Sequence, residues 1–204
     1  MFTEIWRECV MRRVLILGTV ILLTVTSAFA KATNPSDLIK GVTEQAITIL
    51  QNTQPYSDER KQQLQQLFRT SMDLPFVGRF VMGRYWRTMS PEQKAAYTEA
   101  FDRYVLTVYA GRLNEYSGES IQVTESRKVD EQDTIVGSQL MRQNKAPVSL
   151  EWRVRQNGGE AKVIDVAVEG VSMALTQRQE FASILQREGV DGLIKQLKNP
   201  NPPR

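Results

Sequence analysis

At Gly118 the spacing of apolar residues changes from a helical period of about 3.6 to a strand period of about 2, and this change limits the possible folds more than any other feature of the chain. Upstream, Ser90 is a natural N-cap. Pro91 suits the first helical position, where a missing N–H does no harm, and Gln93 completes a capping box. Tyr97, Phe101, Tyr104, Val105, Val108, Leu113 and Tyr116 then fall on one stripe. They predict a helix of about seven turns, roughly 39 Å long, that stops at Gly118. Glu92, Lys94, Glu99, Asp102 and Arg103 occupy the opposite face. A helix this long and one-sided needs a broad apolar partner, and the downstream segment is expected to supply it.

Downstream, residues 121–129, 134–142, 148–155 and 161–171 read as four strands. The cleanest has Val148, Leu150, Trp152 and Val154 alternating with Ser149, Glu151, Arg153 and Arg155. Polar residues 130–133, the stretch 144–147 and Asn157-Gly158-Gly159 supply the turns, the last being a strong hairpin signal. The fourth strand is apolar on both sides, so it is expected at the centre of the sheet, covered twice. Short turns between consecutive strands make an antiparallel meander, hence an α+β fold.

The flanking segments are helical. Asn34-Pro35 opens one helix with Leu38, Ile39, Val42, Ala46, Ile49 and Leu50 on a stripe, and Ser57-Asp58-Glu59 opens a second. Phe76, Val77, Phe80 and Val81 form a short apolar helical patch before Gly83. After the strands, Thr176 and Gln179 form a second capping box, and the helix they open stops at Gly189. A last short helix follows with Leu193, Ile194 and Leu197. No repeat or low-complexity linker interrupts residues 31–198, which are expected to form one domain, with 199–204 a frayed tail.

The first thirty residues read as a targeting segment. Met11-Arg12-Arg13, an apolar run of about a dozen residues and an Ala28-Phe29-Ala30 exit predict a secretory signal peptide cleaved after Ala30. A retained anchor is the rival, since Val14 to Ala30 lies at the lower edge of a membrane span. Glu4 and Glu8 suit a signal peptide badly, which makes Met11 an alternative start.

Composition removes whole classes of chemistry. The chain has no histidine, and its one cysteine is Cys9. A zinc site built on His or Cys cannot form, nor can a Ser-His or Cys-His nucleophile. The formal charge of +3 is too small and too evenly spread for nucleic-acid binding. Asp165 is the one carboxylate in an otherwise apolar strand. It reads either as a general base or as a hydrogen-bonded core carboxylate. Arg79, Arg84, Arg87 and Arg178 read as contacts for a phosphate or an acidic partner surface, or as a solvated face.

Asp73-Leu74-Pro75, the run 79–87 (RFVMGRYWR), Ser90-Pro91-Glu92-Gln93, Phe101, Tyr109, Leu113 and Tyr116 together resemble the periplasmic phospholipid carriers of the maintenance-of-lipid-asymmetry pathway, the MlaC or toluene-tolerance family. Lys162-Val163-Ile164-Asp165-Val166, Glu169-Gly170-Val171-Ser172, Arg178 with Phe181, and Gly192-Leu193-Ile194 look like that family's second half. Ala161 stands where the family often has an aromatic residue, and Gln177 where it often has tyrosine.

The resemblance implies a soluble periplasmic α+β carrier, similar to a cystatin-like or nuclear-transport-factor-like cone, with acyl chains between sheet and helices and the headgroup near solvent. It implies a monomer without cofactor, metal or catalytic residue. Its cargo would be a phospholipid, or a hopanoid-like lipid in one branch of the family. Its partners would be an outer-membrane lipoprotein–porin complex and an inner-membrane ABC transporter. On this reading the lipid contacts are Phe76, Phe80, Tyr104, Val105, Val108, Tyr109, Leu113, Leu150, Trp152, Val166, Val168 and Met173. Met82, Met141 and Met173 are candidates to re-pack around cargo. Without the resemblance the same residues read as an ordinary packed core. Two rivals stand beside it: a small-molecule isomerase or hydratase using Asp165 as base, and a structural periplasmic adaptor with a filled interior.

Overall fold

The computed structural model describes residues 34–113 and 116–199, and every structural statement refers to these. The expected signal peptide, Cys9 and most of the expected tail lie outside them. The element order is α1 (Pro35–Asn52), α2 (Asp58–Ser71), α3 (Leu74–Met82), α4 (Tyr85–Thr88), α5 (Pro91–Arg112), β1 (Ser120–Lys128), β2 (Asp133–Arg142), β3 (Lys145–Asn157), β4 (Glu160–Val168), β5 (Val171–Ser172) and α6 (Met173–Lys198). The fold is α+β, with one antiparallel sheet in the order β1-β2-β3-β4-β5.

Local chemistry sets most boundaries. Asn34, Ser57, Asp73 and Ser90 each accept a backbone N–H from the first turn of α1, α2, α3 and α5, and Ser90 with Gln93 forms the full capping box. At the end of α1 the buried Arg60 donates to Leu50 O at 2.6 Å, to Thr53 Oγ1 at 3.0 Å and to Thr53 O. One guanidinium thereby satisfies the Leu50 and Thr53 carbonyls at that end and ties α1 to α2.

Five expectations need correction. The sheet has five strands, because Glu169 and Gly170 both take positive φ (49° and 79°), a tight hairpin turn that returns Val171 opposite Val168. Beyond that two-residue β5, the outer edge of β4 meets only the Met72 bridge and the Asp73 N–H, which donates to Val163 O at 2.9 Å. So β4 lies near the edge rather than at the centre, and it is apolar on both sides because a bulge at Ile164 buries two consecutive residues. The β2–β3 turn is at Gln143-Asn144, one step earlier than expected. Ala146 and Pro147 already belong to β3, at a register shift where no ladder donor is required of the proline.

The other two corrections concern helices. α5 ends at Arg112, about 33 Å along, and Tyr116 turns back against Leu50 and Leu64. It is not one-sided either, since Leu106 is buried along with Tyr97, Phe101, Val105 and Val108. Its packing partners are α6, α2 and α3, not the sheet. α6 starts at Met173 under a Ser172 cap rather than at Thr176, whose hydroxyl donates back to Ser172 O at 2.9 Å. Gly189 (φ 70°, ψ −173°) kinks α6 where the sequence places a stop.

The buried side chains fall into three clusters. One joins α3, α5 and α6 around Tyr97, Phe101 and Phe181, and one packs Ile39 of α1 on Val136, Val154, Ala161 and Val163 of the sheet. The third joins Leu50 and Leu64.

Candidate functional site

Between these clusters lies a cavity of about 460 Å³. Its floor is half of the sheet's inner face: Ile121, Leu140, Val148, Leu150, Trp152, Val166 and Val168. Its roof is the inward side of α5, with Phe101, Val105, Tyr109 and, just past the helix, Leu113. Val42 and Ala46 of α1, Leu67 and Phe68 of α2, Val77 and Val81 of α3, and Met173 at the start of α6 close the sides. On its sheet side α5 therefore faces the apolar wall of a cavity.

The wall is apolar in effect as well as in composition, because its polar groups are already engaged. Thr43 donates to Ile39 O (2.8 Å) and Lys40 O (2.9 Å), and Ser71 to Leu67 O (2.7 Å), each hydroxyl folding back onto its own helix. The Trp152 indole N–H donates to Ser138 Oγ at 2.8 Å, which leaves the ring itself as cavity wall. Gln177 Oε1 accepts from Tyr104 OH (3.0 Å) while its amide donates to Glu180 (2.9 Å). Asp165 Oδ2 accepts from Ser172 Oγ at 2.5 Å and Oδ1 from the Ala174 N–H at 3.0 Å, so both oxygens hold the first turn of α6. No buried side-chain nitrogen or oxygen among the described residues lacks a partner. A site of this kind has burial and dispersion to give a ligand and few directional contacts, which suits a hydrocarbon chain.

Of the residues singled out in the sequence, Val105, Tyr109, Leu113, Leu150, Trp152, Val166, Val168 and Met173 line this cavity. Phe76, Phe80, Tyr104 and Val108 do not. Phe76 and Phe80 stack on one another (6.4 Å, 14°), with Arg155 4.3 Å from the Phe76 centroid and Arg178 5.0 Å from that of Phe80. Tyr104 packs against Phe181 and donates to Gln177, which is on the wall. Met82 is buried in the helical cluster, and Met141 also lies off the wall. The residues not singled out, chiefly Val42, Ala46, Leu67, Phe68, Ile121 and Leu140, sit on stripes that also read as core.

At the opposite end of the sheet is an ionic node. Asp133, assigned to a turn from the sequence, is fully buried and accepts from Arg155 Nε (2.7 Å) and Nη2 (2.8 Å) and from Arg153 Nε (2.8 Å). The Arg155 hydrogen bonds, helped by Arg153, hold its carboxyl below the ordinary carboxylate range against the opposing effect of burial. Arg155 also covers Phe76, so this end is closed by charge and ring together.

An antiparallel sheet and helices around a cavity with apolar walls define an α+β binding protein for an apolar ligand. The MlaC protein family model matches residues 40–199, and the chain belongs to that family. It is 26% identical over 182 residues to the intermembrane phospholipid transport system binding protein MlaC of Haemophilus influenzae, covering 85% of each chain. It is 28% identical over 179 residues to the toluene tolerance protein ttg2D of Pseudomonas putida, covering 83% of each. Among solved structures it is similar to the phospholipid-binding protein of Ralstonia solanacearum in complex with a phospholipid. That match has a TM-score of 0.66 and 25% identity and covers 79% of this chain and 93% of the other. Among the described residues no helix is long and apolar enough to cross a membrane.

Proposed function

We propose that this protein is a periplasmic lipid carrier that holds the acyl chains of a phospholipid between α5 and the sheet. The observation that carries the reading is the cavity of about 460 Å³ whose wall polar groups are spent on intramolecular hydrogen bonds. The relatives' names and the phospholipid in the Ralstonia protein support it. Val105, Tyr109, Leu113, Leu150, Trp152, Val166, Val168 and Met173 are the proposed contacts. Residues 1–30 act as a cleaved export signal and residues 31–198 form the carrier.

Each methylene moved from water into such a cavity contributes about 0.8 kcal/mol, so the two acyl chains of a phospholipid provide ample affinity where one chain alone is marginal. Release is the harder step. The carrier is proposed to receive and surrender its cargo at two complexes, an outer-membrane lipoprotein–porin assembly and an inner-membrane ABC transporter, rather than by spontaneous exchange. No bond is made or broken, and no catalytic residue is assigned. Asp165, the candidate base of the isomerase reading, has both oxygens engaged at the start of α6, which favours a structural role.

Native mass spectrometry of protein purified from a periplasmic extract, with organic extraction of the same sample, tests the proposal. A mass increment matching a phospholipid is expected, and a hopanoid-like lipid would change the cargo but keep the carrier. The mass of the bare polypeptide with no extractable lipid would overturn it.

A further inference from the structure

The α3–α4 corner gathers cations for which the lipid cavity has no use. Gly83 takes φ 55°, and its missing Cβ leaves room for the Arg178 guanidinium, whose Nη2 lies 3.1 Å from where that atom would stand. Arg178 also lies over the Phe80 ring, and Arg84 over the Tyr85 ring at 5.2 Å. Arg79 is one helical turn before Gly83, and Arg87 one turn after Arg84. All four arginines are exposed, and none forms an ion pair among the described residues. The nearby acids are engaged elsewhere, Glu92 by Ser90 Oγ and Glu180 by Gln177.

We propose that the arginine face around Gly83 docks an acidic protein surface. Two of its guanidiniums lie over neighbouring rings, and an exposed planar fork suits bidentate carboxylate recognition. A bilayer fits less well. The chain's formal charge is only +3, and beside the face a single large apolar side chain is exposed, Leu175 one turn before Arg178 on α6, with none on α3 or α4, too little to anchor in lipid. The face has a consequence for cargo. α3 and α6 present Val77, Val81 and Gln177 to the cavity from their inner sides, so a docked partner grips two cavity walls from behind. The docking itself does not depend on which ligand the cavity holds.

Amide chemical shifts of the 15N-labelled protein test this, with a synthetic peptide alternating Glu and Leu as probe. Its Lys counterpart and phosphatidylcholine vesicles containing phosphatidylglycerol are the comparisons. The Glu peptide is expected to shift amides around Arg79–Arg87 and Arg178 selectively. Arg79→Glu with Arg87→Glu should weaken its binding about tenfold or more, since charge reversal at a docking face replaces attraction by repulsion. Both sites are exposed, so folding is not at stake. Arg103→Glu with Arg187→Glu, elsewhere on the surface, should leave binding unchanged. Shifts scattered over all basic residues, equal weakening by both pairs, or vesicle binding through the same amides in place of the peptide would each overturn the proposal.

Discussion

The two ends of the sheet's inner face are built from the same kinds of side chain, yet one is packed solid and the other faces a void. Toward the Asp133 end, Val136, Val154 and Ala161 close on Ile39 of α1, with Val163 at the boundary of the two halves. Toward the other end Leu140, Val148, Trp152, Val166 and Val168 stay half-buried against the cavity. Strand alternation specifies which face turns inward and says nothing about what fills the space beyond it. That is decided by the helices. Ile39, near the start of α1, reaches the sheet, whereas Val42 and Ala46 further along only wall the cavity. A solid core contributes to stability, and an unfilled one contributes to binding at a cost in stability.

Substitutions in the two halves probe that contrast, the largest effect first. Ile39→Ala in the packed half should cost about 2–5 kcal/mol in chemical denaturation, the range for truncating a fully buried aliphatic residue, with cargo content unchanged in the protein that remains folded. The matching truncation in the open half, Val168→Ala, should cost under about 1 kcal/mol in lipid-free protein, because few contacts are lost. Equal costs would erase the distinction. Val168→Phe should do the reverse, raising lipid-free stability by about 1 kcal/mol while lowering lipid content, as cavity-filling substitutions do. Trp152→Arg should lower lipid content far more than Glu99→Lys, which lies on a solvated side of α5.

The Asp133 node is expected to matter only above acidic pH. Its folded pKa is depressed, so its stabilisation is complete above the unfolded value of about 3.9 and is lost as pH falls through the folded value. The stability gap between the parent and Asp133→Asn should therefore shrink on acidification. Smallest of all, Asp102 on α5 is pushed upward by burial, with Arg69 opposing, so its charge is unfavourable in the folded state. Asp102→Asn should stabilise the protein at neutral pH by at most about half a kcal/mol.

Features governed by near neighbours in sequence were legible before the structure. The Ser90–Gln93 box, the Gly158-Gly159 turn and the break at Gly189 all stand where the residues place them. Where a local signal had a rival only a few residues away, it misled: Ser172 outcompetes Thr176 as the cap because the two-residue β5 delivers it there and Asp165 holds it. Long-range pairings stayed hidden. Asp133 looked like a turn residue because its partners Arg153 and Arg155 become neighbours only through strand register. The cavity was the least legible feature, since a Val or Leu beside a void has the same spacing as one inside a core. Phe76 and Phe80 show the converse, apolar residues at good helical spacing that serve as platforms for Arg155 and Arg178.

The most direct measurement is the set of nuclear Overhauser effects from the acyl methylenes of a bound 13C-labelled phospholipid to protein side chains. Contacts to Val105, Leu150, Trp152, Val166 and Val168, with none to Ile39, Val154 or Ala161, are the predicted result. Contacts confined to surface residues, or reaching the packed half of the sheet while the open half stays silent, would contradict the account.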